Sequence, residues 1–225
     1  MRAIITGATG LVGNLILKEV LKDNDFSEVR IFVRKPTGII NPKLIEIVSP
    51  LIEIDSLSSE IKGDVLFNAL GTTIKKAGSQ AEQQRIDRDL PISFARIASK
   101  NGVKIMLNIS SVGANLKGGF YLRTKAEMEA GTEKFFPQNT FHFRPGFLVG
   151  ERKEFRLAEK IAFGVMKLMD PVLKGSSQKY RGMPADKLAK AMIYVSKNPS
   201  GKPPVLYFPE IMQYAVRSMT EPPLV

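Results

Sequence analysis

Short apolar runs alternate with longer amphipathic stretches over the first two thirds of the chain. The apolar runs predict six β-strands, at residues 3–6, 28–33, 44–48, 64–68, 103–109 and 140–144. Helices are predicted between them at 11–22, 80–100 and 119–135, and Pro91 is expected to kink or break the second of these. Strands that alternate with helices predict an α/β fold, a Rossmann-type doubly wound parallel sheet with helices on both faces.

The pattern changes after residue 146. Amphipathic helices are predicted over 156–169 and 185–197, and a short strand over 204–208. This is too little chain for an independent domain. We therefore expect a single domain over 1–225, in which residues 147–220 form a small C-terminal lobe over the ligand cleft.

The amino-acid composition excludes several kinds of catalytic and metal-binding site. The 225 residues include no cysteine and one histidine, which excludes disulfides, thiolate chemistry and cysteine or multi-histidine metal sites, so no metal is expected. No apolar stretch approaches the roughly 20 residues of a membrane span. We expect a cytoplasmic protein without a membrane partner. The histidine, His142, lies between Phe141 and Phe143 on a predicted strand, so its side chain is expected to face away from the core and to be exposed.

The formal net charge of +11 and the pI of about 9.8 raise the question of nucleic-acid binding. The basic residues are spread along the chain, without a long basic run or an aromatic RNA-binding motif. A solvated positive surface that attracts anionic cofactors is therefore favoured, and nucleic-acid binding ranks last.

Three glycines follow the first predicted strand with the spacing G-x-x-G-x-x-G, at positions 7, 10 and 13, and the next residues open a helix. Glycines allow a tight turn and a close approach to a ligand, and a helix N-terminus offers N–H groups to a pyrophosphate. The alternative is an ordinary tight turn. The residues expected to contact a dinucleotide here are Gly7, Thr9, Gly10, Leu11 and Val12.

The ends of four other predicted strands carry Arg34–Lys35, Leu70–Gly71, Ser110–Ser111 and Pro145–Gly146. Ligands of open parallel sheets bind at the carboxyl ends of the strands, so these residues are expected to meet the glycine turn. Tyr121 and Lys125, four residues apart, lie on one face of a predicted helix. An ammonium beside a phenol stabilises the phenolate and prepares it for proton transfer, and Ser111 can supply a hydroxyl to a substrate carbonyl.

With these residues the chain resembles the short-chain dehydrogenase/reductase superfamily over about residues 1–150. It is similar to the atypical branch that contains the Tat-interactive protein, on the segments Ala69–Thr73, Arg85–Asp89, Ile109–Gly113 and Phe143–Gly146. The resemblance extends more thinly to about residue 195. It departs from the wider superfamily in carrying Asp87 where an asparagine is usual, and Ser49 where an aspartate often meets the adenine.

The resemblance implies roles for individual residues. Tyr121 would be the general acid/base, Lys125 would hold the nicotinamide ribose and stabilise the phenolate, and Ser111 would orient the carbonyl. The loop of Leu70 and Gly71 would contact the cofactor, and the amides after Pro145, near Leu148, would face the nicotinamide carboxamide. The helices at 80–100 and 119–135 are those that many relatives pair across a homodimer.

Arg34 and Lys35 follow the second strand, where an NAD site places a carboxylate, and no acidic residue appears before Glu46. A cationic pair favours a 2′-phosphate, so NADPH is the expected cofactor and NAD the alternative. The sequence thus predicts an NADPH-dependent oxidoreductase acting on a small carbonyl or alcohol substrate. The alternatives are an NADPH-binding sensor or scaffold with little turnover, and an enzyme like the nucleoside-diphosphate-sugar epimerases and dehydratases.

Overall fold

The computed structural model describes residues 1–150 and 175–220, and the strands in this part of the chain run in parallel. The strands are Arg2–Thr6 (β1), Glu28–Val33 (β2), Leu44–Val48 (β3), Val65–Asn68 (β4), Ile105–Ile109 (β5), Thr140–Phe143 (β6), Leu148–Val149 (β7), Met183–Pro184 (β8) and Val205–Leu206 (β9). Seven of them form one sheet in the order β3-β2-β1-β4-β5-β6-β9, and β7 pairs with β8. The doubly wound parallel sheet is confirmed.

The helices are Leu11–Lys22 (α1), Ile74–Ala77 (α2), Gln80–Gln84 (α3), Leu90–Lys100 (α4), Phe120–Glu133 (α5), Ala185–Lys197 (α6) and Phe208–Thr220 (α7). Three helices, α1, α5 and α6, begin and end within two residues of the predicted positions, whereas α2 and α7 were not predicted. Short 3-10 turns lie at Ile54–Leu57 and Gly175–Tyr180. Across residues 1–150 and 175–220, every helix is too short or too polar to cross a bilayer.

Both faces of the sheet are buried. One core lies between the sheet and the helices α1, α6 and α7, and includes Ile5, Ile16, Phe67, Phe143 and Leu188. The other lies on the opposite face, against α4, and includes Ile4, Leu66, Phe94 and Met106. Because β1 alternates its side chains, Ile4 and Ile5 enter different cores. Burial on both faces explains why the strands read as nearly continuous apolar runs.

The long helix predicted over 80–100 changes its winding in the middle. A π-helical turn, Arg85–Asp89, joins α3 to α4. The break expected at Pro91 is found as a change of winding: the π turn ends two residues before Pro91, which lies in the first turn of α4 and has no N–H to donate to the preceding turn. π turns inside helices are frequently found at functional sites, and this one places Asp87 in the interior.

The C-terminal part of the chain completes the sheet. β9 pairs with β6 as the seventh strand, and α6 spans the residues predicted for it. Met192 and Val195 of α6 and Ile211 of α7 are fully buried in the same core as α1. The predicted helix 156–169 lies outside the described residues, and the lobe over the cleft stays a prediction.

Candidate functional site

The glycine turn between β1 and α1 leaves no room for side chains. A Cβ at Gly7, whose φ is +74°, would lie 2.4 Å from the carbonyl oxygen of Ala69, and a Cβ at Gly13 would lie 2.1 Å from that of Gly7. Gly10 precedes α1, and no side chain caps the helix there. The two glycines therefore let β1, the start of α1 and the β4 loop pack closely, and no side chain caps the first N–H groups of α1, as at helix N-termini that bind a pyrophosphate.

The other predicted residues of this turn have different environments. Thr9 and Gly10 are exposed at the mouth of the turn, Leu11 is half-buried, and Val12 enters the core. Leu11 also lies close to the residue after β7, because a Cβ built on Gly150 would lie 3.0 Å from its Cδ1. The turn thus brings Thr9 and Gly10 to the surface where a ligand can reach them.

The loop after β4 approaches the helix that carries the predicted catalytic pair. A Cβ on Gly71 would lie 3.8 Å from the Nζ of Lys125. The next residue, Thr72, is held at both backbone groups, since its N–H donates to Asp87 Oδ1 at 2.8 Å and its carbonyl accepts from Gln83 Nε2 at 3.2 Å. Leu70 is held at its N–H by the side chain of Asn68. Sequence analysis missed the role of Gln83.

Lys125 is almost fully buried at the end of β5. Its Nζ donates to the carbonyl oxygen of Ile109 at 3.5 Å and lies 3.7 Å from Asp87 Oδ2. Tyr121, one turn earlier on α5, is 41% exposed. Ser111 lies on the loop after β5, and its hydroxyl donates to the carbonyl of Val112 at 3.3 Å. Lys125 therefore meets the β4 loop and β5, whereas no hydrogen bond within residues 1–150 joins Ser111 to Tyr121.

The loop after β6 lies beside the loop after β5, at the same edge of the sheet. The N–H of Val112 donates to the carbonyl of Pro145 at 2.9 Å, which fixes the β5 loop against the β6 loop. A Cβ on Gly146 would lie 2.6 Å from the carbonyl oxygen of Arg181, so this loop is also packed against the C-terminal part of the chain. Leu148 follows in β7, half-buried beside β8.

Arg34 and Lys35 are exposed at the end of β2. Glu46, the first acidic residue after Lys35 in the sequence, contacts the same loop. Its two carboxylate oxygens accept from the N–H of Thr37, and its Oε1 also accepts from the Thr37 hydroxyl. Glu82 of α3 also faces this region. A hydrogen bond from Arg85, aided by the charge of Arg34, lowers the pKa of Glu82. The sequence pattern gave no sign of either carboxylate's position.

A row of buried polar side chains crosses the sheet beneath α5. Thr6 donates to Asn68 at 3.0 Å, Asn68 donates to Asn108 at 2.9 Å, and Asn108 donates to the hydroxyl of Thr132 at 3.0 Å. These strand residues occupy matching register positions on β1, β4 and β5. The row connects the strand before the glycine turn with the helix that carries Tyr121.

His142 continues this row on β6, and the expectation that it is exposed is wrong. Its side chain is 3% exposed, its Nδ1 lies 3.4 Å from Asn108 Nδ2, and its Nε2 is buried without a partner in the described residues. The strand does alternate as expected, but α5 covers the face opposite the two phenylalanines. Burial lowers the pKa of His142, against smaller opposing effects of Glu129 and Glu133.

A buried ion pair fixes α5 to the end of β6. Arg144 donates to Glu129 through Nε at 2.9 Å and through Nη2 at 2.5 Å, and its Nη1 donates to the hydroxyl of Tyr207 at 3.0 Å. The bond to Glu129 raises the pKa of Arg144, so the guanidinium is permanently charged. Because Arg144 directly precedes Pro145, the pair also sets the start of the β6 loop.

Comparison with known proteins places this geometry in a family. No protein-family model matches the chain. Protein FMP52, mitochondrial, of Candida albicans is 36% identical over 162 residues, which cover 68% of this chain and 70% of that protein. Protein HTATIP2 of Rattus norvegicus is 34% identical over 163 residues, which cover 70% and 67%. The chain belongs to the atypical short-chain dehydrogenase/reductase family.

Solved structures agree with this family at the level of the fold. The Bordetella bronchiseptica enzyme WbmH, in complex with NAD+, superposes with a TM-score of 0.68 at 14% identity, covering 92% of this chain and 75% of that one. UDP-glucose 4-epimerase of Thermotoga maritima gives 0.65 at 14% identity, covering 87% and 73%. Both likenesses concern the Rossmann architecture.

The same comparison corrects the expected location. The FMP52 relatives from several fungi are named mitochondrial, which contradicts the cytoplasmic expectation for this atypical short-chain dehydrogenase/reductase. The expectation rested on the absence of cysteine, which is compatible with any compartment where thiols stay reduced and does not identify one.

Proposed function

We propose that this protein is an NADPH-dependent oxidoreductase that transfers hydride between the nicotinamide and a carbonyl or alcohol carbon of a small molecule. The glycine turn carries the proposal, because Gly7 and Gly13 allow close packing of β1, the β4 loop and the start of α1, and the N-terminus of α1 has no side-chain cap. Structural neighbours solved with NAD, such as WbmH and WbmG, support a nicotinamide cofactor.

The preference for the 2′-phosphate rests on charge. Arg34 and Lys35 are exposed at the end of β2, and the first acid that follows them in the sequence, Glu46, has both oxygens bonded to Thr37. A ribose 2′-hydroxyl would find no free carboxylate acceptor in this loop, whereas a phosphate would find two cations.

Individual side chains of the protein have separate roles in the proposed reaction. The cofactor, when bound, supplies or accepts the hydride. Tyr121 exchanges a proton with the substrate oxygen, and its exposure gives the substrate access to the phenol. Lys125, fixed beside Gly71 and the end of β5, holds the nicotinamide ribose and stabilises the phenolate. Ser111 turns its hydroxyl from Val112 to the substrate carbonyl. Pro145 and Leu148 lie next to the nicotinamide of the bound cofactor.

A parallel titration with NADPH and NADH, followed by nicotinamide fluorescence, tests the cofactor assignment. We expect tighter binding of NADPH, and Arg34→Ala should weaken NADPH by about tenfold while leaving NADH nearly unchanged, because one charge-assisted contact is lost. Lys100→Ala is the matched control, since this exposed cation lies in the last turn of α4, at the opposite edge of the sheet. Failure of the wild type to bind either cofactor would refute the proposal.

Turnover tests the catalytic assignment. With a panel of small aldehydes and ketones, Tyr121→Phe should lose about a hundredfold or more of the wild-type rate, because the proton donor is removed. Its NADPH affinity should stay within about twofold of wild type, since the phenol hydroxyl is assigned to the substrate oxygen. Equal rates for the two proteins would exclude Tyr121 as the general acid/base.

One observation favours a second function, an NADPH-binding sensor with little turnover. The hydroxyl of Ser111 is engaged by its own loop and Tyr121 is not bonded to it, so the catalytic groups are not joined in advance. A sensor predicts tight NADPH binding, no turnover with any compound in the panel, and a cofactor affinity indifferent to Tyr121→Phe.

A further inference from the structure

Asp87 is a buried carboxyl group for which the proposed function has no role. It lies in the π-helical turn between α3 and α4 and is 0% exposed. Its Oδ1 accepts from the N–H of Thr72 at 2.8 Å. Its Oδ2 has no hydrogen-bond partner in the described residues, and lies 3.7 Å from the Nζ of Lys125. Burial of a carboxylate costs free energy that packing alone does not offset, which suggests a functional role for Asp87.

The carboxyl group, the β4 loop and the ammonium form one unit. Asp87 and Gln83, on successive turns of the same helix, hold the N–H and the carbonyl of Thr72. The preceding residue, Gly71, faces Lys125 with no side chain between them. The unit therefore lies beside the part of the proposed site that takes the nicotinamide ribose.

The charges of this unit compensate each other. Burial raises the pKa of Asp87, while the Lys125 ammonium and the N–H of Thr72 oppose that rise. Of the groups that lower the pKa of this carboxyl, Lys125 is charged, whereas Thr72 and Gln83 are neutral. A carboxylate and an ammonium 3.7 Å apart form an ion pair with no net charge.

Resting on the proposed function, we propose that Asp87 determines which redox form of the cofactor the site accepts. The oxidised nicotinamide ring carries one positive charge that the reduced ring lacks. An uncompensated Lys125 ammonium would repel the oxidised form alone. By cancelling that charge, Asp87 keeps the affinities for the two forms close together, and so lets hydride transfer run in either direction.

The test compares dissociation constants of NADP+ and NADPH at mildly alkaline pH, measured by titration calorimetry without a substrate. Asp87→Asn keeps an oxygen for the N–H of Thr72 and removes the charge. The ratio of the NADP+ constant to the NADPH constant should rise by about tenfold, the order expected for one unit charge several ångströms away in a partly buried site. Gln83→Leu is the matched control, because it frees the Thr72 carbonyl without changing charge, so both constants should move together.

The outcomes separate this inference from the proposed function. A wild type that binds neither form overturns both. A wild type that binds both forms, with a ratio that Asp87→Asn leaves within about twofold, overturns the role of Asp87 and leaves the cofactor assignment standing. Should Asp87→Asn not fold, Asp87→Ser supplies the test, because it removes the same charge and should raise the same ratio. A ratio that Asp87→Ser leaves within about twofold of wild type would also overturn the inference.

Discussion

The buried histidine predicts how the stability of the protein depends on pH. His142 is 3% exposed, and burial lowers its pKa below the value of about 6.5 that it has in the unfolded chain. In the window between the folded and unfolded pKa values, the unfolded state binds a proton that the folded state does not. Stability therefore falls as the pH is lowered through about 6.5 towards the folded-state pKa, and no further below it.

The size of the effect has an upper limit. If the folded histidine stays neutral throughout, protonation of the unfolded chain alone costs about 1.4 kcal/mol between about pH 7.5 and pH 5.5. Burial also raises the pKa of Asp87, so carboxyl groups contribute to the pH dependence of stability as well. A variant without the imidazole but with the same carboxyl groups is therefore needed to isolate the contribution of His142.

Urea unfolding of the wild type and of His142→Gln at the two pH values measures that contribution. Glutamine retains a side-chain oxygen that can accept from Asn108, so the row of polar side chains can persist. The wild type should lose up to about 1.4 kcal/mol more than the variant on acidification, whatever their difference at neutral pH. Parallel losses would refute the argument, as would a titration near 6.5 of the imidazole NMR signal, which is unambiguous in a chain with one histidine.

Two further substitutions test the packing that holds the site. Gly13→Ala should abolish cofactor binding and cost about 3 kcal/mol in urea unfolding, because its Cβ would overlap the backbone of Gly7, whereas Gly119→Ala, where a Cβ meets nothing within 4 Å, should leave stability nearly unchanged. Arg144→Met should cost about 3 kcal/mol in the same assay by leaving the buried carboxylate of Glu129 unpaired; a cost no larger than that of Arg123→Met, which removes an exposed pair, would contradict this.

Local patterns in the sequence were sufficient for most of the sheet. The bounds predicted for β2, β3 and α6 agree with the structure, because apolar runs and amphipathic spacing are local signals. Pro91 predicted that the helix over 80–100 is interrupted, but the bounds and the π winding of the turn at Arg85–Asp89 have no local signal. β9 is only two residues long, and its place beside β6 depends on tertiary contacts that no local pattern contains.

Local patterns were also sufficient to predict that the glycine turn and the strand ends lie at one edge of the sheet. Its glycines and strand ends follow from spacing, since the carboxyl ends of parallel strands share one edge of the sheet. The sequence could not show that His142 is buried, because the alternation of a strand does not reveal whether a helix covers its second face. Nor could it show that Glu46 folds back to Thr37, because such pairings depend on the path of the loop between β2 and β3.

The contacts of α5 explain why the side chain of Tyr121 is exposed. Lys125, Met128, Glu129 and Thr132 lie on one stripe of the helix, and each is held by the sheet or by a neighbouring loop. Tyr121 precedes the first of these anchors by one turn on the same stripe, and its side chain is exposed. The helix is fixed over its later turns and leaves this position in its first turn accessible to solvent. A phenol there has a fixed backbone and an exposed side chain, which is the combination that the proposed proton transfer to a bound substrate requires.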